Sequence, residues 1–173
     1  VGGTTVRFTH PLFHGVEYAG PGWVLAIVVE HAGKKLLYSS DLQGPLIEDY
    51  AAWIVEERPD ALILDGPATY LLGPFQSKAN LERALRNCAW TVREARAKLT
   101  VLDHHLTREP AFRAKAAAAF SAGAVTGAEL MGLAPLTDRL SCWKAEGQLD
   151  RVLKLAEARS LDLKLLEPQS FQL

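Results

Sequence analysis

Cysteine is nearly missing from this chain. Cys88 and Cys142 are the only two, each in a helix-like stretch without a second cysteine two or three residues away. That excludes a disulfide framework and a thiolate metal knuckle, and a reducing cytoplasm is the expected compartment. Charge of one sign is missing as well: the net charge is -1 and the pI about 6.6, so no long basic track for a nucleic acid is expected. No apolar run reaches the roughly 18 residues of a membrane span. The opening Val1-Gly2-Gly3-Thr4 has neither the basic nor the apolar region of a secretory leader, and no initiator methionine. There is no glycine-rich phosphate loop, and Ser39 and Ser40 lack the setting of a nucleophile elbow. What remains is an ordinary globular composition: 173 residues, 49% hydrophobic and 23% charged, enough for one domain with a substantial core.

The hydrophobic period switches repeatedly between two and about 3.6. Strands are expected over Val6 to His10, Trp23 to Glu30 and Lys35 to Ser40, the last two joined by a hairpin turn at His31-Ala32-Gly33-Lys34. From Pro45 the positions Leu46, Ile47, Tyr50, Ala51 and Ile54 mark a helical face that Pro59 ends. Ala61 to Asp65 reads as a buried strand. Ser77 is a good N-cap for a long helix with an inward stripe of Leu81, Leu85, Cys88, Val92 and Ala95, and Leu99 to His105 is the strand after it. Strand, helix, strand, helix, strand implies parallel pairing with right-handed crossovers. Beyond Arg108 the chain turns helix-rich and Ala-rich: Ala111 to Ala122, a cap-like Thr126-Gly127-Ala128-Glu129, and a stripe at Leu149, Val152, Leu153 and Ala156.

Parallel strands leave their C-terminal ends along one edge, where ligands bind in layered α/β proteins. Asp41, Asp65 and Asp103-His104-His105 all fall at such ends, so residues far apart in sequence are expected to converge. Adjacent imidazoles on a strand point to opposite faces, so one of His104 and His105 must meet the site. His14, in a Pro- and Gly-bounded loop with no core periodicity, is a further ligand candidate, with His10 close behind it. Asp41 alone would serve equally as a turn former before Gly44-Pro45, and Asp65-Gly66-Pro67 reads more readily as a turn. His31 belongs to the hairpin tip. The four tryptophans are scattered as packing residues, and the Arg83, Arg86, Arg93, Arg96 set forms a solvated face. Imidazole and carboxylate without thiolate suit Zn²⁺, with Mn²⁺ or Fe as alternatives, and two ions sharing an Asp can activate water without a nucleophilic Ser or Cys.

The stretches Phe8-Thr9-His10-Pro11-Leu12-Phe13-His14-Gly15, Leu37-Tyr38-Ser39-Ser40-Asp41-Leu42-Gln43-Gly44-Pro45 and Val101-Leu102-Asp103-His104-His105-Leu106-Thr107-Arg108 resemble the metallo-β-lactamase-fold hydrolases. The nearest likeness is to their uncharacterised archaeal-type branch, which Val125 to Gly132 also resembles. The resemblance implies the C-terminal part of an αββα sandwich, a mixed sheet flanked by helices. Residues 1–108 would be the second half of the metallo-hydrolase core, and 109–173 a helical extension packed on the same domain. It implies two divalent ions, with His14 on the first, Asp41 bridging and His104 on the second, His105 remaining the alternative. The catalytic pair would be Asp41 and His104. Arg108 and Tyr70 would line the pocket of a small-molecule substrate, for which Arg suits a phosphoester or a carboxylate.

The family's His-x-His-x-Asp-His signature does not occur in the sequence, so the rest of the same polypeptide is expected to supply it. Half of such a sandwich leaves an apolar face that a homo-oligomer could also cover, and the 173 residues alone are expected to be inactive. The Asp-His-His at a strand end also resembles the DHH phosphoesterases, which use Mn²⁺. A third reading is a non-catalytic interaction half-domain.

Overall fold

The computed structural model describes residues 2–73, 75–151 and 154. The first of its two compact units is Val1–Pro135, and the second begins at Leu136. In the first unit, strands β1 (Thr4–Phe8), β4 (Ile27–His31), β5 (Lys34–Tyr38), β6 (Ala61–Asp65), β7 (Leu99–Asp103) and β8 (Val125–Thr126) form one sheet in the order β1-β4-β5-β6-β7-β8. β1, β4 and β5 pair antiparallel, and β5 through β8 pair parallel. β2 (Leu12–Phe13) and β3 (Trp23–Val24) make a separate two-stranded ribbon.

The expected hairpin is present in a tight form. His31 pairs with Lys34, and Ala32 and Gly33 both take positive φ, the two-residue geometry whose twist matches the strands. The expected single strand from Trp23 to Glu30 is two. Trp23 and Val24 turn away to pair with Phe13 and Leu12, while Ala26 exchanges hydrogen bonds with Thr9, its N–H donating to Oγ1 and its carbonyl accepting from the Thr9 amide.

Three helices, α1 (Glu48–Glu57), α2 (Lys78–Ala95) and α4 (Ala117–Ser121), follow the parallel strands; α3 (Phe112–Lys115) and α5 (Gly127–Leu130) are short. Ser77 caps α2 as expected, its Oγ accepting from the Asn80 amide at 3.1 Å. Thr126 and Glu129 close a full capping box at α5. The Ala111 to Ala122 stretch is not one helix: Ala116, at φ −102° and ψ 24°, separates α3 from α4.

The core joins Val28, Leu37, Leu62, Leu64 and Leu102 of the strands to Ile54, Cys88 and Val92 of the helices. Each fully buried side chain of this size stabilises by roughly 1.5–3 kcal/mol. Alternation puts the neighbouring residues on the other face, where Val6 and Val29, then Phe8, Ile27, Tyr38 and Ile63, lie in cross-strand rows. Val6 is 51% and Phe8 61% exposed. In the second unit α6 (Leu136–Ala145) carries Arg139 over the Trp143 ring at 4.6 Å. Of the expected stripe, Val152, Leu153 and Ala156 lie outside the described residues. No helix among the described residues is long and apolar enough to cross a membrane.

Candidate metal centre

β5, β6 and β7 run parallel, so Asp41, Asp65 and the Asp103-His104-His105 segment arrive at one edge of the sheet, as the strand order implied. At the centre is Asp65, 3% exposed. Its carboxylate accepts the Gln43 amide at 2.8 Å and the His105 amide at 3.2 Å, and both oxygens lie 2.9 Å from His105 Nδ1. Its own N–H donates to Ser39 Oγ at 2.9 Å. One side chain thus ties the loop after β5 to the loop after β7. These loops approach so closely that Gly66 has no room for a Cβ, which would overlap Leu106.

β7 ends at Asp103, two residues earlier than its sequence suggested. His104 takes φ 59° and His105 is helical, so the strand rule of opposite faces does not govern them. Both rings reach the site, perpendicular at a centroid distance of 4.5 Å. They differ in what they offer. His105 is buried and donates from Nδ1 to Asp65, which leaves the lone pair of the neutral ring on Nε2. His104 is exposed, and its Nε2 lies 3.1 Å from Arg108 Nη2, positioned to accept that N–H.

Ligand atoms of Asp41, His104 and His105 lie within 4.8 Å of one another. Asp41 Oδ1 is 3.7 Å from His104 Nε2. His14 stands on the flank, its ring 5.8 Å from that of His105 and its Nε2 3.4 Å from Gln43 Nε2. Tyr70 stacks on His105 at 6.2 Å, and its hydroxyl accepts from Arg108 Nη1 at 2.9 Å. The edge is therefore rich in carboxylates and imidazoles with one guanidinium beside them. Burial, and then the charges of Asp41, Asp65 and Asp103, push the Tyr38 phenol above its ordinary range.

His10 is not brought into this group. It lines a separate cavity of about 540 Å³ with Phe8, Tyr50 and Trp53. Cys88 is fully buried and its thiol is pushed up to about 12, so it offers no thiolate. The residue that sequence reasoning underweighted is Asp65. Asp65-Gly66-Pro67 signals a turn locally, whereas the burial of a carboxylate between the two loops at the end of a central parallel strand follows only from packing. Gln43 was missed because nothing local marks an amide that bonds through its backbone.

No protein-family model matches the chain. No solved structure matches it either. Among curated proteins it is 35% identical over 133 residues to a UPF0282 protein of Methanopyrus kandleri, an alignment covering 76% of this chain and 45% of the relative. Identity is 36% over 159 residues to a UPF0282 protein of Aeropyrum pernix, covering 84% and 53%. It is 32% over 167 residues to one of Pyrobaculum islandicum, covering 96% and 48%. The chain spans about half the length of these relatives, whose names state no activity, substrate or metal. Through most of its residues the chain is thus similar to part of the archaeal UPF0282 proteins.

Proposed function

We propose that this chain is one sheet layer of a metal-dependent hydrolase of the metallo-β-lactamase type, and that the Asp41–His105 pair is the heart of its metal centre. The observation that carries the reading is the buried Asp65–His105 contact, because a carboxylate on Nδ1 fixes the tautomer and the ring orientation and leaves the other nitrogen for a metal. The donor set fits a divalent ion such as Zn²⁺: oxygen and imidazole nitrogen, no thiolate, three ligand atoms in mutual reach. Such an ion, when bound, supplies Lewis acidity and activates water at neutral pH.

The protein's own residues do the rest. Asp65 holds the His105 ring in place. Asp41 presents its carboxylate to the same space, with His104 beside it and the His14 ring near that of His105. Arg108, braced by Tyr70, offers an N–H fork to an anionic group of the substrate, a phosphate or a carboxylate. The resemblance would add a second ion, which Asp41 would help to hold, with further ligands from the rest of a longer polypeptide. The exposed apolar side chains of Val6, Phe8 and Tyr38 support a second apolar sheet layer over this face.

The test is zinc affinity by calorimetry on single variants. His105→Ala and Asp41→Ala should abolish high-affinity binding. Asp65→Asn should weaken it about 10- to 100-fold, with His104→Ala and His14→Ala within the same range. Unchanged affinity in His105→Ala refutes the assignment.

A further inference from the structure

The cavity of about 540 Å³ that His10 lines is also lined by Asp49, Tyr50 and Trp53 of α1. Their spacing, i, i+1 and i+4, puts them on one side of the helix. Ala51 and Ile54 are the positions that α1 gives wholly to the core, while Tyr50 and Trp53 are half-buried against it. The Tyr50 hydroxyl is held in place, accepting the Phe13 amide at 3.1 Å. Two aromatic side chains anchored on a helix therefore meet a cavity of small-molecule size.

The charges around this cavity are unequal. Arg7 lines it, but its guanidinium is committed, donating to Glu57 at 2.9 and 3.2 Å and to Glu30 at 3.1 Å. Among the described residues no cation lies over the Tyr50 or Trp53 ring. Asp49 is in the opposite situation: its carboxylate has no ion pair or hydrogen bond among the described residues. The uncompensated permanent charge at the cavity is thus negative.

Aromatic faces carry negative potential and attract cations, most strongly where water is partly excluded. A free carboxylate next to them acts in the same direction. An anion would be repelled by both, and an uncharged ligand would use neither.

We propose that this cavity is a second ligand site, for a small organic ammonium ion held by the Tyr50 and Trp53 rings and the Asp49 carboxylate. It shares no lining residue with the Asp41, His104 and His105 cluster, so it does not depend on the metal-centre reading.

The experiment titrates choline, and separately neohexanol, its uncharged isostere with carbon in place of the ammonium nitrogen, into the ¹⁵N-labelled 173-residue protein at neutral pH without metal. Chemical shifts are followed by NMR. Choline should move the Trp53 indole N–H and the Asp49 and Tyr50 amide signals, and neohexanol should bind about tenfold more weakly. Asp49→Asn should weaken choline about fivefold and leave neohexanol unchanged. Trp53→Leu should weaken choline about tenfold. Signal dispersion reports whether each variant is folded, and if Trp53→Leu is not, Asp49→Asn decides alone.

Equal binding of the two probes overturns the proposal, as does choline binding that Asp49→Asn leaves unchanged. Association with phosphatidylcholine vesicles without any shift from free choline also overturns it and assigns the surface to a membrane instead. Because no metal is present and neither variant alters a candidate zinc ligand, these outcomes are separate from unchanged zinc affinity in His105→Ala.

Discussion

Glu57 ties two strands, β1 and β5, to α1 through one carboxylate. It accepts from Arg7 of β1 at 2.9 and 3.2 Å and from Lys35 of β5 at 2.9 Å, while Arg7 also reaches Glu30 of β4. The Arg7 guanidinium, with Lys35 behind it, holds the Glu57 carboxyl down at about 2 against an ordinary 4.5. A folded-state value below the unfolded one means the unfolded chain takes up the proton first. The stabilisation is therefore complete above about pH 4.5 and fades as pH falls toward 2. Arg7 is about half exposed, which screens the pair. Glu57→Gln should cost about 1–2 kcal/mol at neutral pH, and urea titrations should find the gap to wild type closing between pH 4.5 and 2. A gap that does not change with pH would assign the effect to packing instead. At this same scale the sequence marked His14, Asp41, His104 and His105 as candidates, because acids and imidazoles at strand ends serve no core. It could not choose between His104 and His105. The different surroundings of the two rings depend on a left-handed residue after β7 and on a carboxylate 40 residues away.

Elements were legible where the pattern is local. The capped start of α2, the Ala32-Gly33 turn and the Thr126–Glu129 capping box depend on residues within a few positions of one another. The break at Ala116 and the division of Trp23 to Glu30 were not legible, since each follows from packing or pairing with distant chain. The junction of two elements also sets a prediction. Gly66 follows β6 and lies against Leu106, and its N–H donates to the Asp103 carbonyl at 3.1 Å. Gly66→Ala should force the β6 and β7 loops apart and destabilise by about 1–3 kcal/mol, read from the midpoint of chemical unfolding. Because the same loops carry Asp65 and His105, zinc affinity should fall in parallel. A stable Gly66→Ala protein with unchanged zinc affinity would contradict this coupling.

At the scale of the whole molecule the sheet is treated unequally on its two faces. One meets α1, α2 and α4; the other shows Val6 and Phe8 on the edge strand β1, with Tyr38 39% exposed in the same row as Phe8. An exposed apolar row on a sheet edge is a site of association. The double variant Val6→Lys, Phe8→Lys should therefore reduce self-association of the 173-residue protein in sedimentation velocity while changing its stability little. In a full-length protein resembling the longer relatives, the same change should destabilise if a second sheet layer covers this face. Equal stability in that setting would argue against the two-layer reading.

The sequence by itself determined the α/β class, the order of the main elements and the cluster of strand ends that gathers the candidate ligands. These depend on hydrophobic period, capping and turn chemistry, which act over a few residues. Only the tertiary structure decided that Asp65 is the buried hub and that His105 has the free nitrogen. It also decided that His10 lies apart. Each of those depends on contacts between loops that are distant in sequence. Hydrogen-bond geometry and burial there arise from the packing of the whole sheet edge, and no local pattern encodes them.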